Sequence, residues 1–254
     1  MATSDHTHRR AHPLLVEGIV ILASILVAFW LDGWRADREM DRDLTQELES
    51  VYREVQRNRD LVVAELVVLN RLTASADALL ADLSASPRSS TMAVTDSIAW
   101  LATSWSATID PSLGAVQAMI DSGRLAQVPN PQLRQGLAGL RDQFEDAVEE
   151  EVLAREVFSN QIFPLTRDRL DYQAFGALLP QLLGPASGGR LSQESLSKRS
   201  FPTQGTIEYP NSPAIRNALE LRREWNVAAQ DEMAQLKIVL NDLLTALEDE
   251  LADR

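Results

Sequence analysis

Three consecutive carboxylates, Glu149, Glu150 and Glu151, are one place where this chain could do chemistry. Carboxylates alone can hold a divalent ion or move a proton, as in a metal-assisted hydrolase. Consecutive residues point around a helix rather than at one ion, so this run reads as a solvated face. Ser195-Leu196-Ser197-Lys198 offers a serine and a lysine for nucleophilic chemistry. It falls in a stretch without a rigid scaffold and reads as linker. His6, His8 and His12 are the only histidines; they could bind a transition metal weakly, but read as a mobile tail. Everything after Pro13 lacks imidazole, so a serine–histidine triad or a histidine-ligated metal would need the tail or a partner to supply the ring. The absence of cysteine excludes disulfides, thiol nucleophiles and cysteine zinc sites. Gly188-Gly189 has neither a Walker lysine nor a preceding strand.

Two further constellations are weighed the same way. Trp100 and Trp105 could line a ligand pocket with Phe144 and Phe158, but large aromatics at helical spacing are more often core. Asp121-Ser122-Gly123-Arg124 reads as a helix end in which Arg124 pairs with an acidic neighbour. No catalytic residue, metal ligand or cofactor is assigned, and the expectation is a protein that is not an enzyme.

Glu17 is different, because it is the one charge in Leu14 to Leu31, LLVEGIVILASILVAFWL. Eighteen residues at about 1.5 Å each span about 27 Å, close to a bilayer's hydrocarbon core. A cleaved signal peptide would have a shorter apolar core and a small-residue cleavage site rather than Phe29-Trp30-Leu31. A buried core helix would show a polar face. The segment is therefore expected to be a transmembrane helix over residues 14–34, with Trp30 and Trp34 as interfacial anchors. Arginines flank both ends, so charge counting does not set the orientation. The short basic head before the run places the N-terminus in the cytoplasm and the domain in the periplasm. Glu17 reads as reaching the headgroups or pairing with Arg9 or Arg10. A sharper reading puts Glu17, Ser24 and Ala28 on one face for packing against another membrane helix.

Around these residues the elements are mostly helices. No glycine or proline interrupts Trp34 to Ser86. Apolar residues recur at Leu44, Leu48, Val51, Val55, Val62, Leu66, Leu69, Leu72, Ala76, Leu79 and Leu83, in threes and fours with one gap where Asn58 and Arg59 fall. Arg38, Asp41, Arg42, Glu47, Glu49, Arg53, Glu54 and Arg57 read as the solvated face. After a turn at Ser86-Pro87-Arg88-Ser89-Ser90, a short helix is expected over Met92 to Ala107. Asp110-Pro111, Asn130-Pro131 and Ser212-Pro213 each place an N-cap before a proline, and Gly123 is a C-cap candidate. From Pro131 the spacing runs Leu133, Leu137, Leu140, Phe144, Ala147, Ala154, Phe158 and Ile162, to an end or kink before Pro164. Arg167 to Leu183 reads as another short helix. Gly184 to Asn211 reads as a flexible loop, with a short extended piece at Thr206 to Tyr209. The last helix runs from Pro213 to about Leu251 along Ile215, Leu219, Ala229, Met233, Leu236, Leu240, Leu243 and Leu247.

These patterns predict an all-α chain in three parts. Residues 1–13 form a short tail and 14–34 the transmembrane helix. Residues 35–254 form a helical domain, in which the helix continuing from the anchor packs as an antiparallel, coiled-coil-like bundle with the C-terminal helix. The net charge of −13 argues against nucleic acid as a partner, which wants a clustered basic surface. VEGIVILASILVAFWLDGWRADR, with Glu17, Gly18 and Trp34, resembles the opening of an uncharacterised bacterial family of single-pass membrane proteins, a domain of unknown function. Pro111-Ser112-Leu113 through Gly123, then Pro129-Asn130-Pro131-Gln132-Leu133-Arg134, is similar to a second motif of that family. Asp32, Gly33 and Arg35 stand where the family has asparagines. The resemblance implies an inner-membrane protein with no known activity.

The functional expectation is a membrane-anchored interaction or scaffold module. Its expected partners are the lipid bilayer and either a second copy or another membrane protein. The alternatives are a carboxylate-based hydrolase and a subunit of a membrane complex that uses Glu17.

Overall fold

The computed structural model describes residues 11–85, 91–103, 108–170 and 205–254, apart from the side chains of residues 11–16, 18, 96, 97 and 100. The expected Trp105, the Ser195–Lys198 pair, Gly188-Gly189, His6 and His8, the side chains of His12 and Trp100, the turn at 86–90 and residues 171–204 lie outside this description, and the expected tail 1–13 is helical from Ala11.

Helix α1 runs unbroken from Ala11 to Ala85. At about 1.5 Å per residue it is about 110 Å long. Its described residues from Ile19 to Asp43 are all solvent-exposed, and burial begins at Leu44. From there the seam behaves as its spacing predicts. Leu44, Leu48, Val51, Val55, Val62, Leu69, Leu72, Ala76, Leu79 and Leu83 are buried, and Leu66 is half-buried.

The covering element is the C-terminal helix, α7 (Pro213–Ala252), which makes the most extensive contact of any element with α1. Tyr52 bonds Glu248, Gln230 bonds Leu69 O and Thr73, Arg223 pairs with Asp77, and Asn211 donates to Leu83 O. The partners climb along one helix as they descend along the other, so the pair is antiparallel. Every residue of the expected α7 seam is buried.

Helix α5 (Leu140–Val157) packs on α7 next most extensively, through Leu140, Phe144, Ala147, Ala154 and Val157. Helix α7 thus lies between α1 and α5. Helix α4 (Pro131–Ala138) leads into α5. Asn130 caps α4 as expected, its Oδ1 accepting from Gln132 N and Leu133 N. Ser212 likewise caps α7, accepting from Ile215 N.

Several expectations are corrected. Met92 to Ala107 is not one helix: Thr91–Thr95 is strand β1, and among the described residues the helix, α2, covers Asp96–Thr103. Strand β1 pairs antiparallel with strand β2, Thr206–Pro210, in the register Thr91↔Pro210 to Thr95↔Thr206. The short extended piece expected at Thr206 to Tyr209 is present as this strand, and the ribbon joins the end of α1 to the start of α7. The Pro164 kink is a wider device. A π-helical turn, Phe158–Ile162, precedes the proline, and Phe163–Thr166 continues as α6. Arg167 to Leu170 is turn and bend rather than the start of a helix.

Candidate functional site: a polar line through the bundle core

The apolar seams have holes, and buried polar side chains fill them. In α1 the hole between Val55 and Val62 holds Asn58, which is fully buried. In α5 the hole between Ala147 and Ala154 holds Glu151, and in α7 the hole between Leu219 and Ala229 holds Arg222 and Asn226; all three are buried. Glu54 and Glu65 of α1 complete the line and are buried too. Glu54 and Glu151 were both expected on solvated faces. They are not, because each is turned inward to meet a neighbouring element.

The first group holds a loop. Asn58 Nδ2 donates to Ser112 O at 2.7 Å, and Ser112 N donates back to Asn58 Oδ1 at 3.0 Å. The Glu54 carboxylate accepts from Ser112 Oγ, Ala115 N and Val116 N, each at 3.0 Å. Helix α3 (Gly114–Asp121) has Leu113 at its N-cap and no side chain of its own there. The expected Asp110-Pro111 cap is thus replaced by an acidic residue from α1, which meets the orphan N–H groups and the positive end of the helix dipole together. At the other end Gly123 takes φ 73°, as a glycine after a helix does. Arg124 then pairs with Glu47 at 3.0 Å and Asp43 at 3.3 Å, so the expected acidic partners come from α1.

The second group is a pair of acids. Glu65 (7% exposed) and Glu151 (2% exposed) approach from α1 and α5. Glu65 Oε1 and both carboxyl oxygens of Glu151 have no partner at hydrogen-bonding geometry. Burial first of all pushes Glu65 up to about 7, while the contact with Glu151 pulls the other way. Burial also leads in pushing Glu151 up to about 9, helped by the Glu65 charge and the contact with Glu65. Arg155 and the Ile109 backbone oppose it. Burial thus raises both carboxyls, and each bears on the other. The protons leave in steps that belong to the pair.

The third group centres on Arg222, which is 1% exposed. It donates to Thr103 O at 2.9 Å, and its guanidinium lies 5.4 Å from the Phe158 ring centre. This ties α2, the π turn and α7 together. Of the expected aromatic group, Phe144 is core and Phe158 half-buried, while the side chains of Trp100 and Trp105 lie outside the described residues.

The other sequence candidates lie elsewhere. Glu17, Ser24, Ala28, Trp30 and Trp34 are on the projecting part of α1, all exposed. Ser24 Oγ donates to Val20 O at 2.8 Å, within its own helix. Arg38 stacks 4.3 Å from the Trp34 ring centre. None of these is brought near the polar line. Among the described residues no three acidic, histidine or cysteine side chains converge as a metal-ligating group. An open cleft between α1 and the end of α7 is lined by Asp41, Arg42, Thr45, Gln46, Glu49, Asp253 and Arg254.

Chemically, the polar line does two things. Glu54 and Asn58 position backbone, and Glu65 with Glu151 form a pair of carboxyls whose charged forms burial disfavours. α1 is also long and apolar enough to cross a membrane, and none of its apolar stretch is buried in the protein. No family model, curated protein or solved structure matches the chain.

Proposed function

We propose that this protein is a membrane-anchored helical module that binds or organises another membrane protein or a second copy of itself. The observation that carries the reading is the projecting half of α1. Ile19, Val20, Leu26, Val27, Phe29 and Trp30 are between 57% and 71% exposed, far more apolar surface in one place than a free-standing soluble domain leaves in water. A bilayer satisfies that surface, and Trp30 and Trp34 suit its interface. The same helix then carries the charged stretch Asp32 to Asp43 out to the bundle without a break, about 18 Å of stalk. A stalk and a closed bundle suit presentation of a surface at a fixed distance from the membrane. The short basic head supports a cytoplasmic N-terminus and a periplasmic bundle, and the family resemblance supports an inner-membrane protein.

The test is association in membranes. Chemical crosslinking at low expression is expected to trap the wild type with a second copy or a partner, and Ser24→Leu with Ala28→Leu to weaken that product while leaving insertion intact. A wild type that is strictly monomeric and brings down no partner overturns the reading. A reporter active only outside the cytoplasm, fused after Arg254, tests the orientation; silence there with activity of a cytoplasmic reporter reverses it. Carboxylate catalysis ranks second. It would draw on Glu65 and Glu151, which converge inside the core rather than in a cleft.

A further inference from the structure

Helices α1 and α5 both lie along α7, and approach each other less closely than either approaches α7. Glu65 and Glu151 reach across between them. Both are more than nine-tenths buried, and three of their four carboxyl oxygens have no partner at full hydrogen-bonding geometry, beyond their contact with each other and that of Glu151 with the Ile109 backbone. Two anions placed there would repel one another with no water to spread the charge, and each would bear its own desolvation penalty. Neutral carboxyls avoid both. We propose that Glu65 and Glu151 form a proton-held latch: protons kept on the pair close α5 against α1, and their loss at raised pH drives the two helices apart at this point.

Among the described residues, little else neutralises the pair. From α5, Arg155 acts on Glu151, and burial outweighs it. From the segment before α3, the Ile109 backbone acts on Glu151. From α7, whose Gln230 reaches Leu69 and Thr73 just beyond Glu65, the next inward residues are apolar Met233 and Leu236. Asp231, Glu232 and Lys237 of that stretch are exposed. On α1 itself, Arg71 is half-buried.

The direction follows from linkage. Both carboxyls hold protons in the closed bundle at pH values where an open, hydrated carboxyl has released them. Their contribution is whole below the ordinary carboxyl range and is lost as pH rises through the raised values, from about pH 5 to about pH 9. Within that window each retained proton makes opening about tenfold easier per pH unit. Because Glu65 sits on the helix that carries the apolar segment, the latch reports the pH of the compartment bathing the bundle to that helix.

The full-length chain in detergent provides the test, through two readouts on wild type, Glu65→Gln, Glu151→Gln and the double variant. Infrared difference spectroscopy reads the carbonyl stretch of a protonated carboxyl. It is expected to persist in the wild type above about pH 6, where ordinary carboxyls are ionised, and to vanish in the double variant. Amide hydrogen exchange along residues 147–157, corrected for the intrinsic pH dependence, reads opening. The wild-type opening constant is expected to rise about tenfold or more per pH unit near neutrality, with the double variant flat and each single variant less steep than wild type. No protonated-carboxyl band in the wild type above about pH 6, or an equal band in the double variant, overturns the proton assignment. A band that behaves as expected, beside exchange with no extra pH dependence, overturns the latch. If the double variant fails to fold by circular dichroism, Glu151→Gln alone decides by the same two readouts.

Discussion

Glu54→Ala tests the claim that α1 supplies the missing cap of α3. The substitution strips acceptors from three donors at once: Ser112 Oγ, Ala115 N and Val116 N. Ser112 is exposed, so water replaces the carboxylate there at little cost. Val116 is 5% exposed, and a buried donor left unsatisfied costs about 1–3 kcal/mol. Ala115 is half-buried and adds about 1 kcal/mol, in line with the loss of an N-cap. The expected total is about 2–4 kcal/mol. Glu54→Gln keeps the shape and one acceptor oxygen, and should lose about half as much. Urea unfolding of the detergent-solubilised chain, followed by far-ultraviolet circular dichroism, gives the differences, and hydrogen exchange at Val116 locates them. The capping argument fails if Glu54→Ala stays within about 0.5 kcal/mol of wild type, the range of an ordinary surface substitution, while Val116 exchanges no faster.

Three further outcomes follow from the same geometry. Full-length protein should resist alkaline carbonate extraction from membranes, and deletion of residues 14–31 should release it; a native chain that is soluble without detergent would remove the anchor. Cysteines replacing Thr73 and Gln230, whose side chains bond directly, should crosslink efficiently, as should Val62→Cys with one position between Met233 and Leu243. The native chain has no cysteine to confuse the result, and failure at every register would refute the antiparallel pairing. Gly123→Ala meets no atom within 4 Å of the new Cβ, so its loss, about 1 kcal/mol by urea titration, should come from the left-handed backbone alone; a neutral result would mean that the turn relaxes.

The long helices were legible because their apolar period is carried by many residues at once. One polar intruder does not erase a pattern running from Leu44 to Leu83. The caps at Asn130 and Ser212 were legible because capping is local, settled within three residues. Helix α3 broke that rule, since its cap comes from 58 to 62 residues away, and no local window contains it. Strand β1 was misread for a related reason. Val94 and Ile98 fit a helical spacing, and only pairing with Thr206–Pro210, more than a hundred residues on, selects the extended form. Glu54 and Glu151 were assigned to solvent by residue type. The sequence did hold a signal for Asn58, Glu151, Arg222 and Asn226: each occupies the place where a seam skips its expected apolar residue. A skipped seam position flanked by buried neighbours faces the core whatever residue fills it.

The missing hinge in α1 has a mechanical meaning. From Leu31 to Ala85 the helix extends about 80 Å, and nothing between offers a joint: Gly33 is its one glycine after Leu31, and no proline follows Pro13 before Pro87. Transmembrane helices tilt by about 20° on average, by an amount set partly by bilayer thickness. Over such a lever arm, a tilt of about 20° carries the β-ribbon end sideways by about 27 Å, roughly the thickness of the hydrocarbon core itself. A small change in lipid thickness at the base is thereby amplified into a sweep of the far end, and a twist of the anchor about its axis turns α7 and its polar line with it.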